Sequence, residues 1–474
     1  MPLMAGPDEA TQVIKAAAVA RGELYGRPLP PVHGKDSAYV EVTVPKAFAM
    51  LNEETWNCFG YHDQVPDSCK SALASGGRPT RVATYAGRYP PLYYLLVGWP
   101  SIPFPSGSGI HLMRIVSAFV SSLFLAAAFE IASRCTRSRL FLAGVAVAAT
   151  PVVVFLAGVV NPSGLEIASA ITTWVAALAL AGGDLPPGLH RRTVTWLGVS
   201  AATLVEVRGM SVLWLLAVVG VFLIVVDPER FAVLVRDHLV RRWSVAVLAS
   251  AGFGFWWVLA HHSNALVPGT PIPKDWDFGR IVIAELGTTP LLVSEMIGRV
   301  GWLDVTAPPF TLWTWLGLAV LLGALALASA RRRDVVALCL VTVGAVLAPV
   351  VLRIPEARSA GLIGQGKDIL PFVVAVPVLA AWSAGRRSEL DPAIADRILW
   401  FVGAGAALAG LAAFLQSLRR FEVGASGPID FLKGQWRPPI ALPLLAVLSM
   451  AVFVLYGAWI ARSTRAFSGS PHPS

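Results

Sequence analysis

The sequence predicts an all-α polytopic membrane protein. Of its 474 residues, 55% are hydrophobic and 14% are charged, whereas soluble domains carry about 25% charged residues. The apolar residues come in long runs, each near the length that crosses the hydrocarbon core of a bilayer, rather than in alternation. Arginines cluster in the short connections between those runs, so the net charge of +9 reads as membrane topology. No basic stretch is interleaved with aromatics, which argues against a nucleic-acid partner.

About eleven spans are expected, at residues 110–133, 140–159, 165–181, 194–207, 210–226, 243–260, 312–330, 335–352, 369–384, 398–416 and 440–461. One set of connections holds Arg134, Arg137 and Arg139, then Arg191 and Arg192, then Arg230, Arg236, Arg241 and Arg242. It continues with Arg331, Arg332 and Arg333, then Arg386 and Arg387, then Arg462 and Arg465. The positive-inside rule makes that face cytoplasmic. Residues 1–109, 161–164, Arg208, 261–311, 353–368 and 417–439 then lie outside. This divides the chain into an external N-terminal region with interfacial helices (1–109), a transmembrane bundle with a large external loop at 261–311 (110–462), and a disordered cytoplasmic tail (463–474). Residues 1–6 are too short for the apolar core of a signal peptide. A further helix is therefore expected upstream of Met1, giving about twelve spans and both ends in the cytoplasm.

In chain order, Gly6-Pro7-Asp8-Glu9 places two carboxylates after a proline and before a helix-like run at 10–22. They either cap that helix or supply the base that activates a sugar hydroxyl. Residues 13–24 have helical spacing and suit the interface plane. Val40, Val42 and Val44 alternate with polar residues and read as a short strand ending at Pro45. Trp56-Asn57-Cys58 and Cys69 fall in a polar external loop, where a disulfide is expected. Two free thiols, or a metal pair with His62 between them, are the alternatives. Cys135 and Cys339 read as packing residues. Tyr89-Pro90-Pro91-Leu92-Tyr93-Tyr94, running on to Trp99-Pro100, is too short and proline-rich to span and suits an interfacial or re-entrant helix.

Asn161-Pro162-Ser163-Gly164 reads as a tight external turn, with Glu166 one turn into the next helix, either a helix-start acid or a functional carboxylate. Glu206 and Arg208 flank a break between apolar segments; each is the other's expected partner, with Arg208 suited to a lipid phosphate. The 261–311 loop carries adjacent His261 and His262, a poor metal pair, then Lys274, Asp275, Trp276 and Asp277. An amphipathic piece at 291–300 and Gly301-Trp302-Leu303-Asp304 follow. Gly364-Gln365-Gly366 reads as a flexible loop ahead of a helix from Ile369. Lys367 at its end either binds phosphate or snorkels to water. The sequence shows no nucleotide-binding P-loop, no Ser-His-Asp pattern and no metal-ligand cluster, so no metal or cofactor is expected.

Pro7-Asp8-Glu9, Tyr89-Pro90-Pro91-Leu92-Tyr93-Tyr94, Gly301-Trp302-Leu303-Asp304 and the stretch from Gly364-Gln365-Gly366 to Leu370-Pro371 occur in that order. Together they resemble the bacterial membrane proteins of domain-of-unknown-function family 2142, over nearly the whole chain. That family is grouped by similarity with the GT-C glycosyltransferases, which take sugars from polyprenyl-phosphate carriers on the outer membrane face. Family members often have Gly-Arg-Tyr where this chain has Gly366-Lys367-Asp368, which keeps a positive charge but loses the forked donor. The resemblance implies catalysis by Asp8 or Glu9. It also implies a substrate-binding set of Arg208, Glu206, Lys367, Tyr93, Trp302 and Asp304. The implied partners are membrane lipids, a lipid-linked sugar donor and a glycan or lipid acceptor, at the cell membrane with the active face outward. Asp8 and Arg208 should then face one pocket on the order of 6–12 Å apart, so that acid and cation flank one anomeric carbon. The alternative is a non-catalytic transporter, flippase or envelope-assembly scaffold.

Overall fold

The computed structural model describes all residues except 31–37, 53–57, 71–72, 74–75, 136–139, 184, 264–271, 363, 388–390, 429–433, 435, 437, 439 and 464–474. Trp56, Asn57, Arg137, Arg139, Arg465 and nearly all of the expected tail lie outside the described residues.

Among the described residues, eight helices are long and apolar enough to cross a membrane: Gly107–Ser133, Pro162–Gly182, His238–His261, Pro309–Ser329, Arg332–Pro355, Gly366–Arg386, Ala393–Val423 and Leu442–Arg462. Ser211–Val225 is a shorter apolar helix, and the short span expected at 194–207 lies within a longer helix, Pro187–Val207. The protein is a multi-pass, all-α membrane protein. One expected span is corrected. Residues 140–159 form two helices, Phe141–Ala148 and Pro151–Ala157. Thr150 starts the second by accepting the Val153 N–H, with Pro151 in its first turn, where a missing N–H costs nothing.

Pro162–Gly182 is the hub, buried throughout its length. Its many Ala, Ser and Thr residues let neighbouring backbones approach closely. The Trp174 indole donates to the Pro371 carbonyl at 3.1 Å, tying the hub to the Gly366–Arg386 segment. Peripheral helices turn large apolar side chains outward, among them Leu248, Val320 and Leu455, as a lipid-facing surface requires. Cys339 is also exposed, because it lies on the outward side of its helix; the packing expectation is corrected.

The arginine-rich connections meet at one end of the bundle. Asp227 there pairs with Arg331 at 3.2 Å, with Arg333 and with Arg386 at 3.5 Å. Glu130 pairs with Arg192 at 3.0 Å and Arg134 at 3.4 Å. The described residues of 1–109 and of the 261–311 loop gather at the opposite, N-terminal end, joined by contacts such as Arg88 to the His261 carbonyl and Trp302 to the Met4 carbonyl. Among the described residues no ion pair joins the two sets.

At the N-terminal end, Val40–Pro45 is the central strand of a three-stranded antiparallel sheet, flanked by Arg27–Pro28 and Pro79–Thr84. Val40, Val42 and Val44 face its buried side. The disulfide Cys58–Cys69 is formed, so the metal-pair and free-thiol alternatives fall away. The helix expected in the interface plane is instead Glu9–Val19, buried on nearly every face. It packs against Leu92–Gly98 and the central strand. Its alanine-rich sequence leaves no room for a solvated side, and buried Lys15 donates to the Leu24 and Gly87 carbonyls at 2.5 and 2.7 Å. Beyond it, Tyr93 and Tyr94 point inward while Leu95, Trp99, Ile102 and Phe104 are exposed, as suits a seat at the membrane interface.

Candidate functional site: a charged cluster at the N-terminal end

Asp8 occupies the N-cap position of Glu9–Val19 but does not cap it. Its backbone is left-handed, with φ 64°, and its side chain makes no capping hydrogen bond. Aspartate tolerates this region better than most residues, yet such a conformation persists only where surrounding contacts hold it. The carboxylate turns away from the helix to Lys367 Nζ at 2.7 Å. One third of the Asp8 side chain stays exposed. Burial pushes its pKa up, but the Lys367 ammonium, the nearby Tyr85 hydroxyl and Arg208 outweigh that and hold it below the usual carboxylate range. Burial also raises Tyr85, and raises Tyr89 to about 12, so both phenols remain protonated donors at neutral pH.

Lys367 is the second residue of the helix Gly366–Val373, which corrects the expected flexible loop: Gly366 is already helical. Its N–H donates to Glu295 Oε2 at 2.7 Å, and Asp368 Oδ2 accepts the Gln365 N–H at 3.0 Å to close a capping box. The other Asp368 oxygen accepts from Arg208 Nη1 at 3.2 Å. Arg208 Nη1 also reaches Ser163 Oγ at 3.2 Å and Glu166 Oε2 at 3.4 Å, and Ser211 Oγ donates to Glu166 Oε1 at 2.8 Å. The expected Glu206–Arg208 pair is corrected. Arg208 has extended backbone at the end of Pro187–Val207, which swings its side chain across the bundle. Half-buried Glu206 stays on the helix and enters no ion pair among the described residues.

Asp8 and Arg208 therefore share one cluster through adjacent residues, Lys367 and Asp368, without pairing directly. The cluster sets two cations against three carboxylates, Asp8, Asp368 and Glu166. Beside it a narrow crevice is lined by Pro7, Glu295, Arg299, Leu303, Gln365 and Lys367. Phe155 lines both this crevice and a larger apolar cavity of about 960 Å³ bounded by Ile115, Val154, Ala406 and Phe453.

The other expected site residues brace this end of the molecule. Glu9 is fully buried. It accepts from Arg114 Nε at 2.7 Å and Nη2 at 2.5 Å, and from the Val160 and Gly6 N–H groups at 3.0 and 3.3 Å. Both oxygens are consumed internally, so Glu9 is not presented to a cavity. Buried Tyr93 shares a hydrogen bond with Ser117 at 3.0 Å. Asp304 Oδ2 holds Arg420 at 2.7 Å, and Arg420 donates to the Phe59, His62 and Val65 carbonyls. Trp302 Nε1 donates to the Met4 carbonyl at 2.9 Å, Arg114 to those of Met1 and Pro2 at 2.9 and 2.7 Å, and Lys70 to that of Leu3. Three side chains thus fix four consecutive carbonyls ahead of Asp8.

Sequence reasoning missed Asp368 and Ser211 as members of the cluster and left Glu166 open between a helix-start acid and a functional carboxylate. The signal for Asp368 was its place three residues after Gln365, the spacing of a capping box.

A family model described as "Predicted membrane protein (DUF2142)" matches residues 1–376, a stretch that includes Asp8, Glu166, Arg208, Lys367 and Asp368. No curated protein and no solved structure matches the chain.

Proposed function

Because the chain belongs to the DUF2142 family of predicted membrane proteins, we propose that its charged cluster is a glycosyl-transfer site. Its donor is a polyprenyl-phosphate-linked sugar, used on the outer face of the cell membrane in cell-envelope glycan assembly. The acceptor is a glycan or lipid hydroxyl. The observation that carries this reading is the aim of Asp8. Its carboxylate leaves the helix end in a costly backbone conformation and stays partly exposed. Its partner Lys367 is the chain neighbour of Asp368, which pairs with Arg208.

Asp8 orients the acceptor hydroxyl and takes its proton as the oxygen bonds to the anomeric carbon. The bond from that carbon to the phosphate oxygen breaks with inversion, and its electron pair leaves with the phosphate. Arg208, with Lys367, offsets the charge that grows there. A carboxylate held below its ordinary pKa is ionised at neutral pH but is a weak base, so proton transfer runs late in the step. The apolar cavity that shares Phe155 with the crevice offers a lipid a lateral approach. The arginine-rich connections collect at the opposite end, which supports an outward placement of the cluster.

A second reading rests on the charge balance. Both cations already face carboxylates, as in the structural lock of a transporter, flippase or scaffold. Purified Asp8→Asn and Arg208→Ala, assayed with a lipid-linked sugar donor, decide between them. Loss of transfer in both, with folding and expression retained, supports the enzyme; full activity in both ends it.

A further inference from the structure

A second cavity at the N-terminal end carries cations and, among the described residues, no carboxylate in its lining. Its volume is about 530 Å³, within the usual range for small-molecule sites. Its walls come from the end of Thr289–Ile297, the strand Val305–Thr306, the start of Pro309–Ser329 and the last turns of Pro392–Val423. Arg299 and Arg419 both line it, with Ser294, Thr306 and Gln416. Among the described residues the Arg299 side chain enters no hydrogen bond or ion pair. Its neighbour Glu295 accepts the Gly366 N–H at 2.7 Å and still feels the Arg299 charge without pairing with it. Among the described residues Arg419 donates to the Gly427 carbonyl alone, from Nε at 2.9 Å and also from Nη2. The start of Pro309–Ser329 adds the positive end of a helix dipole, and Pro308, Pro309 and Leu312 make the remaining wall apolar.

Depth identifies the ligand. Pro392–Val423 has 32 residues, about 48 Å at ~1.5 Å per residue, whereas the hydrocarbon core is ~30 Å thick. Its last turns, with Gln416 and Arg419, therefore stand at headgroup level, where Pro309–Ser329 begins. We propose that this cavity binds the phosphate of a lipid in the leaflet on the N-terminal side. Arg299 serves as a forked donor, a geometry that matches phosphate oxygens, and Arg419 adds its charge and the N–H groups that Gly427 does not take. Thr306 and the Gln416 amide proton not given to the Ala425 carbonyl supply neutral hydrogen bonds, and Leu312 with the two prolines receives the first carbons of the chain. Arg299 also lines the crevice beside Lys367 and Pro7, so the bound phosphate adjoins the Asp8 cluster. Naming a polyprenyl phosphate as that lipid rests on the proposed glycosyl transfer; the anion site does not.

The test uses the full chain in phosphatidylcholine nanodiscs. Native mass spectrometry follows binding of undecaprenyl phosphate and of undecaprenol, and equilibrium dialysis follows radiolabelled inorganic phosphate. The expected result is saturable binding of the lipid phosphate and none of the alcohol. Each charge-assisted contact removed should weaken binding about tenfold or more, so Arg299→Gln/Arg419→Gln should bind roughly 100-fold more weakly. Arg299→Lys/Arg419→Lys should keep part of the affinity, which guards against misfolding. Equal binding by the Gln variant, or equal binding of the alcohol, overturns the site. Inorganic phosphate binding as tightly as the lipid overturns the lipid assignment and leaves a free-anion site. Sugar transfer is read only in the separate assay of Asp8→Asn and Arg208→Ala. A protein that binds but transfers nothing fails only the enzyme reading, and one that transfers while the Gln variant binds normally fails only this one.

Discussion

Glu9 and Asp8 are neighbours in sequence, but their substitution should have opposite consequences. Glu9→Ala removes a fully buried carboxylate from Arg114, itself 8% exposed, and strands two backbone N–H groups, those of Val160 and Gly6. Breaking a buried ion pair costs about 3–5 kcal/mol, and each stranded N–H adds about 1–3 kcal/mol. A loss of roughly 5 kcal/mol is expected after partial relaxation. Asp8→Asn breaks a pair that is one third exposed on the acid side, so about 1–2 kcal/mol is expected, between the exposed and buried extremes. Equilibrium unfolding by SDS in mixed micelles, read by tryptophan fluorescence, measures both. Adding Arg114→Met closes a double-mutant cycle, in which a coupling of about 3 kcal/mol marks the pair as interacting. Glu9→Ala within about 1 kcal/mol of the parent, or no more costly than Asp8→Asn, would refute the division into a structural and a functional acid.

The same contacts set an acid limb to stability. Burial pushes the Glu9 pKa up, but the Arg114 charge and its hydrogen bonds, with the Val160 and Gly6 N–H groups, bring it below the ordinary 4.5. The unfolded chain therefore protonates first as pH falls. The contribution is complete above about 4.5 and disappears as pH drops through the folded value, so a Glu9→Ala protein should show a flatter acid limb in thermal unfolding against pH. Reduction of Cys58–Cys69, separated by 11 residues, should cost about 3 kcal/mol by the loop-entropy relation, measured as a lower unfolding midpoint in reductant; an unmoved midpoint would contradict it. Single cysteines placed near Gly76 and Ser426 should label from outside intact cells while one near Arg332 stays protected, and the reverse pattern would invert the proposed orientation.

Much of this architecture was legible from composition alone. Hydrophobic runs of spanning length have few other physical solutions, and the Val40-x-Val42-x-Val44 alternation located the central strand to the residue. The break at Thr150-Pro151 was written in the sequence as a cap followed by proline but lay inside a uniformly apolar run, where hydropathy cannot register it. The site was legible in part. Asp8, Arg208 and Lys367 stood out as charges at the ends of apolar segments, whereas their pairing did not. Proximity in sequence suggested Glu206 for Arg208, but partners 42 and 160 residues away won. Chain reversals between helices bring those carboxylates to one level, and no local pattern encodes which helices become neighbours. Glu9 and Arg114, 105 residues apart, were invisible as a pair for the same reason.

The hold on residues 1–4 is made through peptide oxygens, which every amino acid possesses. Arg114, Lys70 and Trp302 consequently recognise the path of this segment and not its side chains. Heredity can rewrite these positions within the limits of volume and backbone, since Met4 is fully enclosed and holds a left-handed φ of 59°, without displacing the acid that follows. The informational burden falls on the three distant donors. A mutation at Trp302, far from Asp8 in the chain, can misplace that carboxylate more than a change at Leu3 can.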